Sequence, residues 1–259
     1  GIGLVLVTVA VPVQLSGMWI TVAWAVEAAL LLWFGFGLKS AGIRTFADIV
    51  SAIAVVRLFF FELSLRGPLE DFTPLINQRA FVFLTVILSL FISSFLYRIH
   101  SEEVEDKDRS LSAFFGVAAN LLLVFLLSME SNAFFDKKIA AVSAQGNIPS
   151  VFGPSPEDNA GRFAEIRSVR NMKNLSLSVI WALYSAFLMG IGIMRRFRAA
   201  RALAIAGFAV VVLKVFLYDS SQLSDLYRIF SFIALGVILL VVSFLFYRYK
   251  EKIKEFILA

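Results

Sequence analysis

A chain of 259 residues with 59% hydrophobic side chains, 27 Phe and only 17% charged residues lies far outside soluble composition, which excludes a water-soluble globular domain. The absence of cysteine excludes disulfides, thiolate nucleophiles and cysteine-based metal sites. The formal charge of +5 does not point to nucleic acid, because the basic residues lie between hydrophobic runs where membrane topology already accounts for them.

Several apolar runs approach the roughly 20 residues that a helix needs to cross hydrocarbon, and no ten-residue alternation suggests a β-barrel. The expected fold is therefore all-α: a polytopic membrane protein of about eight transmembrane helices. The chain opens Gly1-Ile2-Gly3 with neither an initiator Met nor a basic leader, so its start reads as the interior of a longer protein rather than a signal peptide. Spans are expected at about 2–15, 18–38, 42–62, 79–97, 111–129, 175–194, 202–218 and 229–247. The first is the weakest, being short and holding Pro12 and Gln14.

The short connections alternate in charge. One side carries Lys39, Arg44, Arg98, Lys107, Arg109, Arg195, Arg196, Arg198, Arg201 and the basic tail, while the other holds Arg66, Arg79 and Arg228. The basic side is expected to be cytoplasmic, with both ends of the segment there and the long connection 130–174 outside, in a bacterial inner membrane. That connection, with Gly146, Pro149, Gly153, Pro154, Pro156 and Gly161 among polar residues, reads as an irregular lobe. His100 lies beside the charged loop and has no second histidine to share a metal, so no metal or cofactor is expected.

A repeat is legible by register. At an offset of 157, VRLFFFE (56–62) lies over LKVFLYD (213–219) and Trp24-Ala25 over Trp181-Ala182; at 149, Arg79 lies over Arg228, Phe81 over Phe230 and SFL (94–96) over SFL (243–245). Four helices per copy is an even number, so both copies share one orientation. The division expected is a first four-helix repeat over 1–98, a charged linker over 99–110, and a second repeat over 111–259 that contains the external loop.

Charged residues in apolar helices need partners. Glu62, Arg79, Asp219 and Arg228 fall near helix ends, where marking the interface or capping explains them. Arg57 and Lys214 lie five residues inside their helices. Five residues turn a helix by about 140°, so neither pairs with its own Glu62 or Asp219, and each must snorkel or find another helix. Glu27 on the preceding span is the expected partner of Arg57. At the offset of 157 it becomes Tyr184, a phenol for Lys214 in place of a carboxylate. Ala182, Ala186 and Gly190 form a small-residue stripe expected to pack closely. The run Gly35-Phe36-Gly37-Leu38-Lys39-Ser40 lacks the spacing of a phosphate-binding loop.

SLSVIWALYSAFLMGIGI (176–193), LKVFLYDSSQLSDLYRIFSFIALG (213–236) and, more weakly, WAVEAALLLWFGFGL (24–38) and NQRAF (77–81) resemble the large bacterial membrane proteins catalogued as domain of unknown function 2339. The resemblance implies a multi-span inner-membrane protein and no particular activity.

Three functions fit. The first is transport or handling of a lipid or envelope component, with Arg57, Arg79, Lys214 and Arg228 lining an external-side cavity between the repeats and meeting anionic headgroups. The second is a structural or assembly subunit. The third is a membrane-embedded transferase acting on lipid-linked donors, with Glu62, Asp71, Asp136, Asp219 or Asp225 as base, so whether the chain is an enzyme stays open. Expected partners are membrane lipids, and either protein partners or further helices of the same chain, with no nucleic acid.

Overall fold

A computed structural model of the chain describes residues 2–62, 72–102, 106–144, 156–195 and 197–219. Among these the protein is helical, with α1 at Ile2–Gln14, α2 at Met18–Gly37, α3 at Ala41–Arg57, α4 at Gln78–Ile99, α5 at Asp106–Ala144, α6 at Pro156–Met194 and α7 at Arg198–Lys214. A π-helical turn extends α3 through Leu58–Glu62, and another extends α7 through Val215–Asp219. Among the described residues five helices are long and apolar enough to cross a membrane: α2, α4, most of α5, most of α6, and α7 with its continuation to Leu217. α1 has 13 residues; α3 with its π-helical turn runs from Ala41 to Glu62 but carries Arg44, Asp48 and Arg57; and the expected span at 229–247 lies outside the described residues.

The expected irregular lobe is corrected over most of its length. α5 runs on to Ala144 and α6 begins at Pro156, so 130–144 and 156–174 are helical and only 145–155 lies outside the described residues. The helix breakers Gly146, Pro149, Gly153 and Pro154 all fall in that short stretch. Pro156 takes the first helical position, where its missing N–H costs nothing. At 39 residues, α5 and α6 are each about 58 Å long, roughly twice the hydrocarbon thickness. Both are therefore longer than one crossing of the hydrocarbon requires.

The chain forms two compact units, Gly1–Ala140 and Ala141–Ala259. In the first, α2 packs on α3 and α4, and α4 is the most enclosed helix, burying Val82, Phe83, Val86, Leu90 and Tyr97. α5 adds Phe115, Ala119, Leu122 and Leu126 to the same core. Ser94 and Ser112 exchange bonds between α4 and α5, each hydroxyl donating to the other's carbonyl at 2.7 and 2.9 Å. Such paired hydroxyls join helices where burying apolar surface supplies no driving force.

In the second unit α6 packs on α7. The expected stripe of Ala182, Ala186 and Gly190 is not the packing face, since Ala186 and Gly190 are exposed. The buried face holds Ser178, Ser185 and Gly192, at seven-residue spacing. Residue size alone does not select the packing face; the helix's rotation, which its neighbour sets, does.

Both hairpins turn on a glycine. A Cβ on Gly35 would lie 2.8 Å from Arg44 Cγ and 3.1 Å from its backbone nitrogen; on Gly192 it would lie 2.7 and 3.0 Å from the same atoms of Arg201. Each glycine's carbonyl then caps its helix, accepting at 2.9 Å from the backbone N–H of Ser40 or Phe197. In the first turn Lys39 adopts the left-handed conformation, φ 52°, that this cap requires. Gly35→Ala and Gly192→Ala should each cost about 1–3 kcal/mol, because a methyl there displaces backbone. Gly37→Ala and Gly190→Ala, where a methyl meets nothing within 4 Å, should be neutral or mildly stabilising. Thermal unfolding of the purified chain in detergent compares the four.

Candidate functional site

Pro12 lies inside α1 and has no N–H to offer the carbonyl of Thr8, four residues back. In hydrocarbon that carbonyl needs another donor. Trp24 of α2 supplies it, its indole Nε1 donating to Thr8 O at 3.0 Å. The hydroxyl of Thr8, a residue 8% exposed, lies 2.6 Å from Glu27 Oε1 and 3.1 Å from the Leu4 carbonyl. Glu27 is the tenth of the 20 residues of α2, and its second oxygen, Oε2, is buried without a hydrogen-bond partner.

Glu27 borders an open groove of about 470 Å³ formed by Leu4 and Val7 of α1 with Ala23, Val26, Leu30, Leu31 and Phe34 of α2. It is the groove's one polar lining residue.

The expected Glu27–Arg57 ion pair is not formed. Arg57 NH2 donates to the Gly17 carbonyl at 2.9 Å, and its guanidinium lies over the rings of Phe61 and Trp24, 4.6 and 5.9 Å from their centroids. Gly17 precedes Glu27 by ten residues, about 15 Å of helix, so the two groups sit at different depths. They are connected in relay instead: Arg57 against the Trp24 ring, Trp24 to Thr8, Thr8 to Glu27. The position of Thr8 opposite both residues depends on the α1–α2 turn at Gly17, where φ is 57°.

Lys214 makes the corresponding contact in the second unit. Its Nζ donates to the Asn174 carbonyl at 3.0 Å and to Ser178 Oγ at 2.6 Å. Tyr184, expected beside it, sits half-buried on α6, ten residues beyond Asn174. Glu62 and Asp219 end the two π-helical turns, with side chains outside the described residues, and Arg228 lies outside them altogether.

Arg79 is no free cation at a helix start. Its guanidinium donates to Glu130 Oε1 from NH2 at 2.7 Å and from Nε at 3.3 Å, with 6% and 4% of the two side chains exposed. The other carboxylate oxygen accepts from Asn77 Nδ2 at 2.7 Å and from the Leu75 N–H at 2.9 Å. Asn77 also caps α4 through Ala80 N, and Lys137 Nζ donates to the Phe72 carbonyl. α5 thus holds the 72–77 segment at two levels. Sequence reading missed Glu130 by ending the span at residue 129. Its signal was position: it continues the buried stripe 115, 119, 122, 126, where a carboxylate must have a partner.

The family model described as "Predicted membrane protein (DUF2339)" matches residues 49–249, and the chain belongs to that family. The match contains Arg57, Arg79, Glu130 and Lys214; Thr8, Trp24 and Glu27 precede it, as does the WAVEAALLLWFGFGL segment. No curated protein matches the chain. No solved structure matches it either.

Glu130→Leu should cost about 3–5 kcal/mol by stranding a buried guanidinium, whereas Arg79→Met with Glu130→Leu should recover most of that loss. Denaturant titration in mixed micelles compares single and double variants. Trp24→Phe should cost about 1–3 kcal/mol, the penalty of an orphaned carbonyl. Adding Pro12→Ala should restore it, since the new backbone N–H reaches Thr8 O. If the double variant is no more stable than Trp24→Phe alone, the indole is not serving that carbonyl.

Proposed function

We propose that this family member is a multi-pass protein of the bacterial inner membrane that handles a lipid-borne envelope component, and that it does so at the α1–α2 groove. One observation carries the reading. A carboxyl at the midpoint of a 20-residue apolar helix, hence near the middle of the hydrocarbon, borders an open apolar groove with one oxygen unpartnered. Intramembrane ionisable groups cost several kcal/mol to keep there and mark ligand paths more than packing.

The site is thus moved from the external cationic cavity first expected. Arg79 is neutralised by Glu130, while Arg57 and Lys214 grip backbone carbonyls, so these three have engagements other than an anionic headgroup. The transferase reading gains no support from any described carboxylate.

The architecture proposed is two parallel copies offset by 157, with eight crossings, the basic connections cytoplasmic and 145–155 outside. Support comes from paired features. α3 and α7 start and stop 157 residues apart, as do their π-helical turns. So do the Gly35–Arg44 and Gly192–Arg201 approaches, and the carbonyls of Gly17 and Asn174 that receive Arg57 and Lys214. The copies differ where α6 runs unbroken through Asn174 but the first copy breaks at Gly17. That break is what creates α1, the groove and Thr8's approach to Glu27.

A second reading, a structural or assembly subunit, is favoured by the length of α5 and α6, which gives partners about 25–30 Å of helix beyond the hydrocarbon core. Lipid profiling of a host strain separates the two. Deletion should alter the amount of at least one envelope lipid class, and Glu27→Leu should reproduce the change at normal protein level. An unchanged profile together with a stoichiometric co-purifying partner would establish the assembly role instead.

A further inference from the structure

The groove's chemistry also restricts what it holds. Its walls are hydrocarbon, and Val7, Val26, Leu30 and Phe34 are each about half exposed, so an occupant can enter sideways from the lipid. The exposed surface of the groove is apolar throughout, and the Glu27 carboxyl with its partner, the Thr8 hydroxyl, lies behind it. That hydroxyl has a single proton, so it serves either Glu27 Oε1 or the Leu4 carbonyl at any moment. Glu27 Oε2 has neither. It lies just beneath the groove wall, and the terminal torsion of glutamate is soft enough to bring it to the opening.

At this depth neither water nor a headgroup is within reach, so the missing donor has to arrive on an apolar molecule. An ammonium brings a charge to the region where charge is costliest, and it carries three donors where the groove offers one spare acceptor. A phosphate or carboxylate brings a charge as well and belongs at the interface. A hydroxyl carries one proton and far less desolvation cost than an ion. The volume, about 470 Å³, falls in the range of small-molecule sites.

We propose that the groove binds a hydrocarbon chain bearing a hydroxyl group, whose O–H donates to Glu27 Oε2 while the chain packs between α1 and α2. This rests on the lipid-handling reading above and names its substrate class. The hydroxyl can come from a free long-chain alcohol or from a hydroxylated acyl chain of a membrane lipid.

The test uses the full chain in nanodiscs, a diazirine-tagged long-chain alcohol, and mapping of the labelled residues by mass spectrometry. The expected result is labelling of α1 and α2 residues around the groove. Hexadecan-1-ol should compete about tenfold better than its methyl ether, the effect of one hydrogen bond. Glu27→Leu should erase that preference. Val7→Trp, which fills the groove without touching the carboxyl, should abolish labelling even if Glu27→Leu proves unfolded. Competition by a phospholipid with a hydroxylated acyl chain, against one with a plain chain, identifies the source.

Equal competition by alcohol and ether overturns the hydroxyl assignment while leaving a lipid groove standing. A preference that survives in Glu27→Leu also overturns it. No labelling of α1 or α2 by any chain, or a dimer cross-linked across the groove, overturns both this assignment and the lipid-handling reading.

Discussion

Hydrocarbon offers no hydrogen bonds, so the polar groups on these helices must be answered from within the chain. The Thr8 carbonyl, released by Pro12, is met by the Trp24 indole. Glu130, set on an otherwise apolar stripe of α5, accepts from Arg79, Asn77 and the Leu75 backbone. Arg57 and Lys214 reach carbonyls forty residues earlier. Against that background Glu27 Oε2 and Arg57 Nε are buried without a hydrogen-bond partner, and of the two only Glu27 borders the groove.

The same constraint explains how the helices approach each other. Without a hydrophobic drive between helices, contact depends on small residues that let backbones draw close. Gly35 and Gly192 do so at two hairpin turns that match atom for atom in which arginine they admit. Thr21, Ala28 and Gly35 on α2 are buried, and so are Ser178, Ser185 and Gly192 on α6, each 157 residues on. The shared feature is a seam of small side chains. The difference is the break at Gly17, which gives the first hairpin an extra short helix and a groove that a continuous α6 does not form with itself.

Some expectations failed for identifiable reasons. The Glu27–Arg57 pair assumed equal depth on neighbouring helices, yet Arg57 meets α2 at its very start. The 130–174 lobe was inferred from glycine and proline content averaged over the whole connection, when the breakers cluster within 145–155. Glu130 was hidden by ending a span where hydropathy fell, although the helix and its buried face continue.

The sequence by itself determined the all-helical membrane class, because transfer of an apolar run into hydrocarbon depends on that run alone. It also determined the 157-residue register, which is a property of the linear string, and it marked Glu27, Arg57, Arg79 and Lys214 as residues needing an explanation. Tertiary structure decided what each explanation is. The contacts of Trp24 with Thr8, Arg57 with Gly17 and Arg79 with Glu130 join positions 16, 40 and 51 residues apart. Whether such groups meet depends on the depth and rotation of one helix against another, and a few ångströms of either, set by glycine contacts and helix breaks elsewhere, separates a bonded carboxylate from an open one.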